Sequence, residues 1–352
     1  MKTNDTLRSF VWAIASIMLG ASCTGHDEAV DAIAPQGGDA ISFAVKGVAV
    51  SDADTRAKGE INASSLTNQS FGVFASYTGL HKYSDSNVSS DFMYNEEVGY
   101  DNTTNVWTYS PLRYWPNGEG EDASLPHYVS FFAYAPYNET DDDTRYCIPS
   151  FHYAQEQTNP WLTYRLHTDV TKQVDLLYAQ KLDQTKQGVN EKVTFEFNHA
   201  LACVGDNVSI SMSTAMATYM SSKTVKLTDV SIDYILIPKA KLVLWNTGTA
   251  NWQPILSENS LETRSVTLLT TPEVLSGTAA WTNTGNGVFY IPLNIEGKEQ
   301  KAVVHIAYEV SEGGVRDDDL SKAGSVTLVL NSYTDAYKAG KQLDINIVLD
   351  NN

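Results

Sequence analysis

Residues 192–197 read KVTFEF, which sets Val193, Phe195 and Phe197 on one side of an extended chain and Thr194 and Glu196 on the other. Side chains that alternate with a period of two belong to a strand with one face in a core. The same alternation recurs upstream. Ile41, Phe43 and Val45 share a face in ISFAV, Phe71, Val73 and Ala75 in SFGVFASY, and Val129, Phe131 and Ala133 in HYVSFFAY. Further strands are expected at 204–212, 225–237, 241–245, 265–269, 287–293, 302–310, 325–330 and 343–349. Turn chemistry separates them, at Pro116-Asn117-Gly118, Gly285-Asn286-Gly287 and Gly313-Gly314. No three-turn segment carries a helical apolar stripe, and the nearest, 214–222, is short. Many short strands with almost no helix predict an all-β protein of packed sandwiches.

The chain has 352 residues, enough for two β-domains of roughly 150 residues each. The polar stretch 183–191 (DQTKQGVNE) is the expected linker, giving an N-terminal domain over 41–190 and a C-terminal domain over 191–352. A net charge of −18 excludes a nucleic-acid partner, because no Lys/Arg patch is available to meet a phosphate backbone. It equally opposes an electrostatic grip on anionic lipid.

The first 22 residues form a targeting segment. Lys2 and Arg8 are its basic end, and Phe10 to Leu19 is an apolar run of about ten residues, too short to span a bilayer as a helix. Small residues Gly20, Ala21 and Ser22 then precede Cys23, as a lipoprotein signal peptidase requires, and the Cys23 thiol would carry the acyl (palmitate) lipid. An ordinary signal peptide containing a cysteine is the alternative. Residues 23–40 read as a polar tether. Cys147 and Cys203 remain, as one disulfide or two buried thiols, and no CxxC spacing points to a metal.

No motif calls for a catalytic site, a metal or a cofactor. His199 lies in an alternating strand, where a satisfied core or edge histidine is favoured over a ligand. Asp141-Asp142-Asp143 and Asp317-Asp318-Asp319 lack the graded spacing of a calcium loop. There is no GxSxG elbow and no phosphate loop. Trp107, Trp115, Trp161, Trp245, Trp252 and Trp281, with 19 tyrosines, are the material of a sugar-stacking face or of ordinary cores. A monomeric carbohydrate-binding surface lipoprotein is therefore the alternative function.

An ordered series of phrases resembles the fimbrillin-like (minor-fimbrillin-like) family of type V pilus subunits. After the Cys23 box come Ile41-Ser42-Phe43, Thr55-Arg56-Ala57, Phe71-Gly72-Val73-Phe74-Ala75 and Phe92-Met93-Tyr94-Asn95. Trp107-Thr108-Tyr109, Tyr114-Trp115-Pro116-Asn117 and Phe131-Phe132-Ala133-Tyr134-Ala135-Pro136-Tyr137 follow. Asp175-Leu176-Leu177-Tyr178-Ala179 and Phe195-Glu196-Phe197-Asn198-His199-Ala200-Leu201-Ala202 complete it. The resemblance implies two tandem transthyretin-like Greek-key sandwiches and export to the outer membrane and cell surface as a lipoprotein. It also implies cleavage after Arg56, ahead of Ala57, and assembly into a fimbrium by donor-strand exchange. Partners would be other pilus subunits, with a host protein or glycan as a further one.

The physics behind that mechanism is simple. A sandwich that loses its first strand exposes an apolar groove and a row of unpaired backbone groups, which another chain's extended segment can fill. Residues 41–50 (ISFAVKGVAV) read as the exchangeable strand, with Ile41, Phe43, Val45, Val48 and Val50 as its anchors. Arg56 is the only arginine between Cys23 and Arg113, and it sits in a polar stretch open to a protease. The sequence given stops at Leu349-Asp350-Asn351-Asn352, where many relatives carry a further segment. The donor strand is thus open among 325–330 with 343–349 or neither, as is the choice among stalk, tip and anchor.

Overall fold

The computed structural model describes residues 40–49, 61–85, 92–117, 124–139, 159–186, 191–246, 248–255, 260–333 and 337–350, all within the unit Gly37–Asn352. The chain is all-β, as its alternation predicts.

The first half supplies β1 (Phe43–Val48), β2 (Phe71–Gly79), β3 (Met93–Asp101), β4 (Val106–Thr108), β5 (Tyr128–Ala135), β6 (Trp161–Arg165), β7 (Leu177–Gln184) and β8 (Val193–His199). All but β6 join one seven-stranded sheet in the order β1-β8-β7-β5-β2-β3-β4. Its first core gathers Phe43, Phe71, Phe131, Phe195 and Phe197 with Ile41, Ile61 and Trp115. The middle strands are buried on both faces. Phe74 on β2, Phe132 and Tyr134 on β5 and Tyr178 on β7 point into a second core, away from their neighbours Val73, Phe131, Ala133 and Ala179. Double burial is why FGVFA and VSFFAYA read as nearly unbroken apolar runs in which alternation is only half the story.

The second half adds β9 (Ala202–Met212), β10 (Thr224–Leu236), β11 (Lys239–Val243), β12 (Asn251–Gln253), β13 (Glu262–Thr267), β14 (Glu273–Leu275), β15 (Trp281–Thr284), β16 (Val288–Tyr290), β17 (Lys301–Glu312), β18 (Val315–Val329) and β19 (Gln342–Leu349). One sheet runs β13-β10-β17-β18, with β14 also on β10. A second is built on β9, which pairs with β15, β16 and β19. A third runs β12-β11-β6. Leu227, Val230, Ile232, Tyr234 and Leu236 of β10 face Val204, Val208 and Ile210 of β9 across the second core. The turn from β17 to β18 uses Gly313 and Gly314, both at positive φ (58° and 85°), a conformation that costs other residues energy. The helical stretch expected near 214–222 is one short helix, α1 (Thr214–Tyr219), capped by Ser213 Oγ accepting from the Met216 amide at 3.1 Å.

Buried polar clamps tie the two halves of the sequence. Trp252 donates Nε1–H to the Ala200 carbonyl (2.8 Å), and Phe289 donates its amide to Gln173 (2.8 Å). Gln180 and Asn246 bond reciprocally through side chain and backbone. Arg264 donates to the carbonyls of Leu166 and His167. Residues 183–184 of the expected linker are the end of β7, and β8, the strand that follows, belongs to the same sheet.

Candidate functional site

β1 is an edge strand, and it runs parallel to β8. Phe43 pairs with Val193, Val45 with Phe195 and Val48 with Phe197, so the inward residues of both strands share one face. Ile41 and Phe43 are each 1% exposed, while Val45 and Val48 are half-buried against the same core. The Phe43 ring stacks on Phe195 and meets Phe71 and Phe131 edge-on, at 6.4 and 5.8 Å between centroids. Burying each large anchor favours the docked strand by about 1.5–3 kcal/mol before ordering entropy is charged. On the outer face Lys46 meets Glu196 at 3.2 Å, an exposed ion pair that adds little.

The chain just before β1 is held on its other side. The segment after β4 returns to it: the Ile41 amide donates to the Arg113 carbonyl (2.8 Å), and Ala40 forms an antiparallel bridge with Tyr114. Tyr109 is the clasp. Its buried hydroxyl donates to the Ile41 carbonyl (3.0 Å) and accepts from the Arg113 amide (3.1 Å). Burial pushes the Tyr109 phenol up to about 12, with the Arg113 backbone bond opposing that rise. β1 therefore lies along β8 over a floor of phenylalanines, with Ala40 and Ile41 just before it pinned by Tyr109, Arg113 and Tyr114.

That seat depends on its occupant. β8 joins β7 only through the pairs Leu177–His199 and Tyr178–Asn198, so β1 is the ladder partner of Val193–Phe197 among the described residues. Of the anchors read from the sequence, Ile41, Phe43, Val45 and Val48 are brought together here. Val50 lies outside the described residues, as do Cys23, Arg56, Ala57, Asp141-Asp142-Asp143 and Cys147.

Ile61 is firmly held. Ile61 is 1% exposed and its amide donates to Asp175 Oδ2 (3.3 Å). The other Asp175 oxygen accepts from the Leu176 amide (2.8 Å), and His199 Nδ1 sits 2.5 Å from Oδ2. His199 is thus a satisfied buried side chain at the end of β8. In the sequence Asp175 stands only as the head of the phrase Asp175-Leu176-Leu177-Tyr178-Ala179, yet a carboxylate set directly before the apolar Leu176-Leu177 signals a need for buried donors.

The remaining candidates within the described residues are spread over the fold. Trp115 and Trp252 are buried, and Trp107, Trp161, Trp245 and Trp281 are half-buried; Trp107 packs on Phe71 and Tyr100 rather than forming an open platform. Asp317 pairs with Lys223 at 3.6 Å and Asp318 with Arg316 at 2.8 Å. No cluster of three metal-ligating side chains occurs among the described residues.

The fold and this seat define a class: β-sheet proteins in which an N-terminal edge strand completes a hydrophobic core. The fimbrillin-like family profile matches residues 55–351, so the chain belongs to the fimbrillin-like family, as the ordered phrases anticipated. A fimbrial protein from Bacteroides vulgatus is similar in structure at 20% identity, with a TM-score of 0.56 and coverage of 88% of this chain and 94% of that one. The fimbrial anchor protein Mfa2 from Porphyromonas gingivalis matches at 11% identity, TM-score 0.36, covering 89% and 91% of the two chains. A fimbrial assembly protein from Parabacteroides distasonis matches at 13%, TM-score 0.37, covering 89% and 92%. A comparison with curated proteins finds no match.

Proposed function

We propose that this chain is a non-enzymatic subunit of a cell-surface fimbria, exported to the outer membrane as a lipoprotein acylated at Cys23. Cleavage after Arg56 cuts β1 from the body, and an extended strand of a neighbouring subunit takes its place. The observation that carries the reading is the seat of β1. A strand at a sheet edge, buried through Ile41 and Phe43 and clasped by Tyr109, separates from the rest of the chain once one bond beyond it is cut. The body keeps its own hold, because Ile61 is fixed by Asp175 downstream of that bond. Family membership and the fimbrial name of the Bacteroides vulgatus structural relative support the same reading.

We further place the division between the two sandwiches after β8, near Ala200, since β8 pairs with β1 while β9 pairs with β19. A light digest with an arginine-specific protease tests the assembly role. Wild-type protein should be cut first after Arg56 and then form multimers on a sizing column, while Arg56→Ala stays intact and monomeric. Cut protein that remains monomeric and binds a glycan array would favour the carbohydrate-binding alternative.

A further inference from the structure

We infer that the seat of β1 is built for a regular, unbulged strand, and that β1 is an imperfect occupant which such a strand from a neighbouring subunit outcompetes. The inference rests on the strand-exchange reading above and names the chemistry of the incoming partner.

β8 offers a regular template, with Val193, Phe195 and Phe197 buried at every second residue. β1 does not match that spacing. It supplies Phe43, Val45 and then Val48, and the register slips between Val45 and Gly47, leaving Lys46 as an extra residue. A bulge of this kind interrupts the ladder locally, and a glycine within a strand forfeits side-chain packing.

Nothing in the seat requires that glycine. A Cβ built on Gly47 would meet no atom within 4 Å, and Gly47 is absent from the residues at positive φ. The defect therefore belongs to β1 and not to its surroundings. β19 shows the contrast within the same chain. It also runs parallel to its partner, yet Leu343, Ile345, Ile347 and Leu349 turn inward at every second position, and the extra residues lie in β9 between Val204 and Val208.

The favoured partner is thus an extended segment with apolar residues at i, i+2, i+4 and i+6. The second of these must be large, since it replaces Phe43 among Phe71, Tyr109, Phe131 and Phe195. A cation on the outward face would meet Glu196, as Lys46 does now.

Two labelled peptides test this on the full chain nicked between β1 and Ile61, with β1 released in mild urea. One is ISFAVKGVA, residues 41–49 as they stand. The other, ISFAVKVA, omits Gly47 and so aligns Val48 with Phe197 without a bulge. The regular peptide should leave the seat about tenfold more slowly, as differences between related complexes lie mostly in the off-rate. Equal or faster release of the regular peptide overturns the inference while leaving strand exchange standing. Failure of both peptides to enter overturns the strand-exchange reading and the inference with it. Deleting Gly47 within the chain is the second arm: after nicking, multimers should form more slowly than from wild type, and an unchanged rate contradicts the idea.

Discussion

The ring of Phe43 lies stacked on that of Phe195, with centroids 5.8 Å apart and planes 19° from parallel. The two residues are 152 positions apart in sequence, and their contact is the point at which the N-terminal strand enters the first core. Around it the edge-on rings of Phe71 and Phe131 leave little freedom for any other side chain. The hold on β1 is therefore concentrated at its N-terminal end, in Phe43 and in Ile41 just before it, and weaker past the bulge at Lys46.

Phe43→Ala should cost the docked state of β1 about 3–5 kcal/mol, the usual price of emptying a buried aromatic site. Hydrogen exchange at the backbone amides of β8 is the readout. Protection of Val193 to Phe197 should fall steeply, and wild-type protection would show that β1 is held elsewhere.

Tyr109→Phe removes one hydroxyl that serves both Ile41 and Arg113. The expected loss is about 1 kcal/mol, with the Arg113 amide left to find water. Urea titration should report it, and a variant as stable as the wild type would remove Tyr109 from the clasp.

The same phenol sets a pH limit. Burial pushes Tyr109 and Tyr178 up to about 12, above the value of 10.0 for an exposed tyrosine. The folded chain then holds protons that the unfolded chain has released, so stability is fully present below pH 10 and falls as the pH rises towards 12. Urea midpoints should be level through neutral pH and drop over that window; a flat profile to pH 12 would contradict the assignment.

Asp175→Ala strips the acceptor from the Ile61 and Leu176 amides and from His199 at once. Leaving a buried hydrogen-bonding group without its partner costs about 1–3 kcal/mol. Chemical denaturation should show that loss, and exchange at Ile61 should quicken. His199 restored to mobility without loss of stability would mean that the network is not structural.

Much of this was legible in the sequence, for a physical reason. A strand with one wet face advertises itself by alternation, and KVTFEF and ISFAV did so. Strands buried on both faces were visible only as apolar runs, since Phe132 and Tyr134 look no different from Phe131 and Ala133 until a second core is known. The short polar-flanked strands β12, β14 and β15 carry too few apolar residues to announce themselves. Pairing between distant segments was out of reach. Nothing local says that residues 43–48 lie parallel to 193–197, that Tyr109 reaches Ile41, or that Asp175 would meet His199. The bulge at Lys46 was likewise hidden, because a break in spacing matters only against a regular neighbour.

The most direct test staples β1 to its partner. Gly47 and Glu196 pair across the strands, so Gly47→Cys with Glu196→Cys should form a disulfide there. Oxidised protein, nicked between β1 and Ile61, should stay monomeric by light scattering and assemble only once reductant frees the strand. Assembly with the staple closed, or none after it opens, would contradict the claim that β1 holds the place of another subunit's strand.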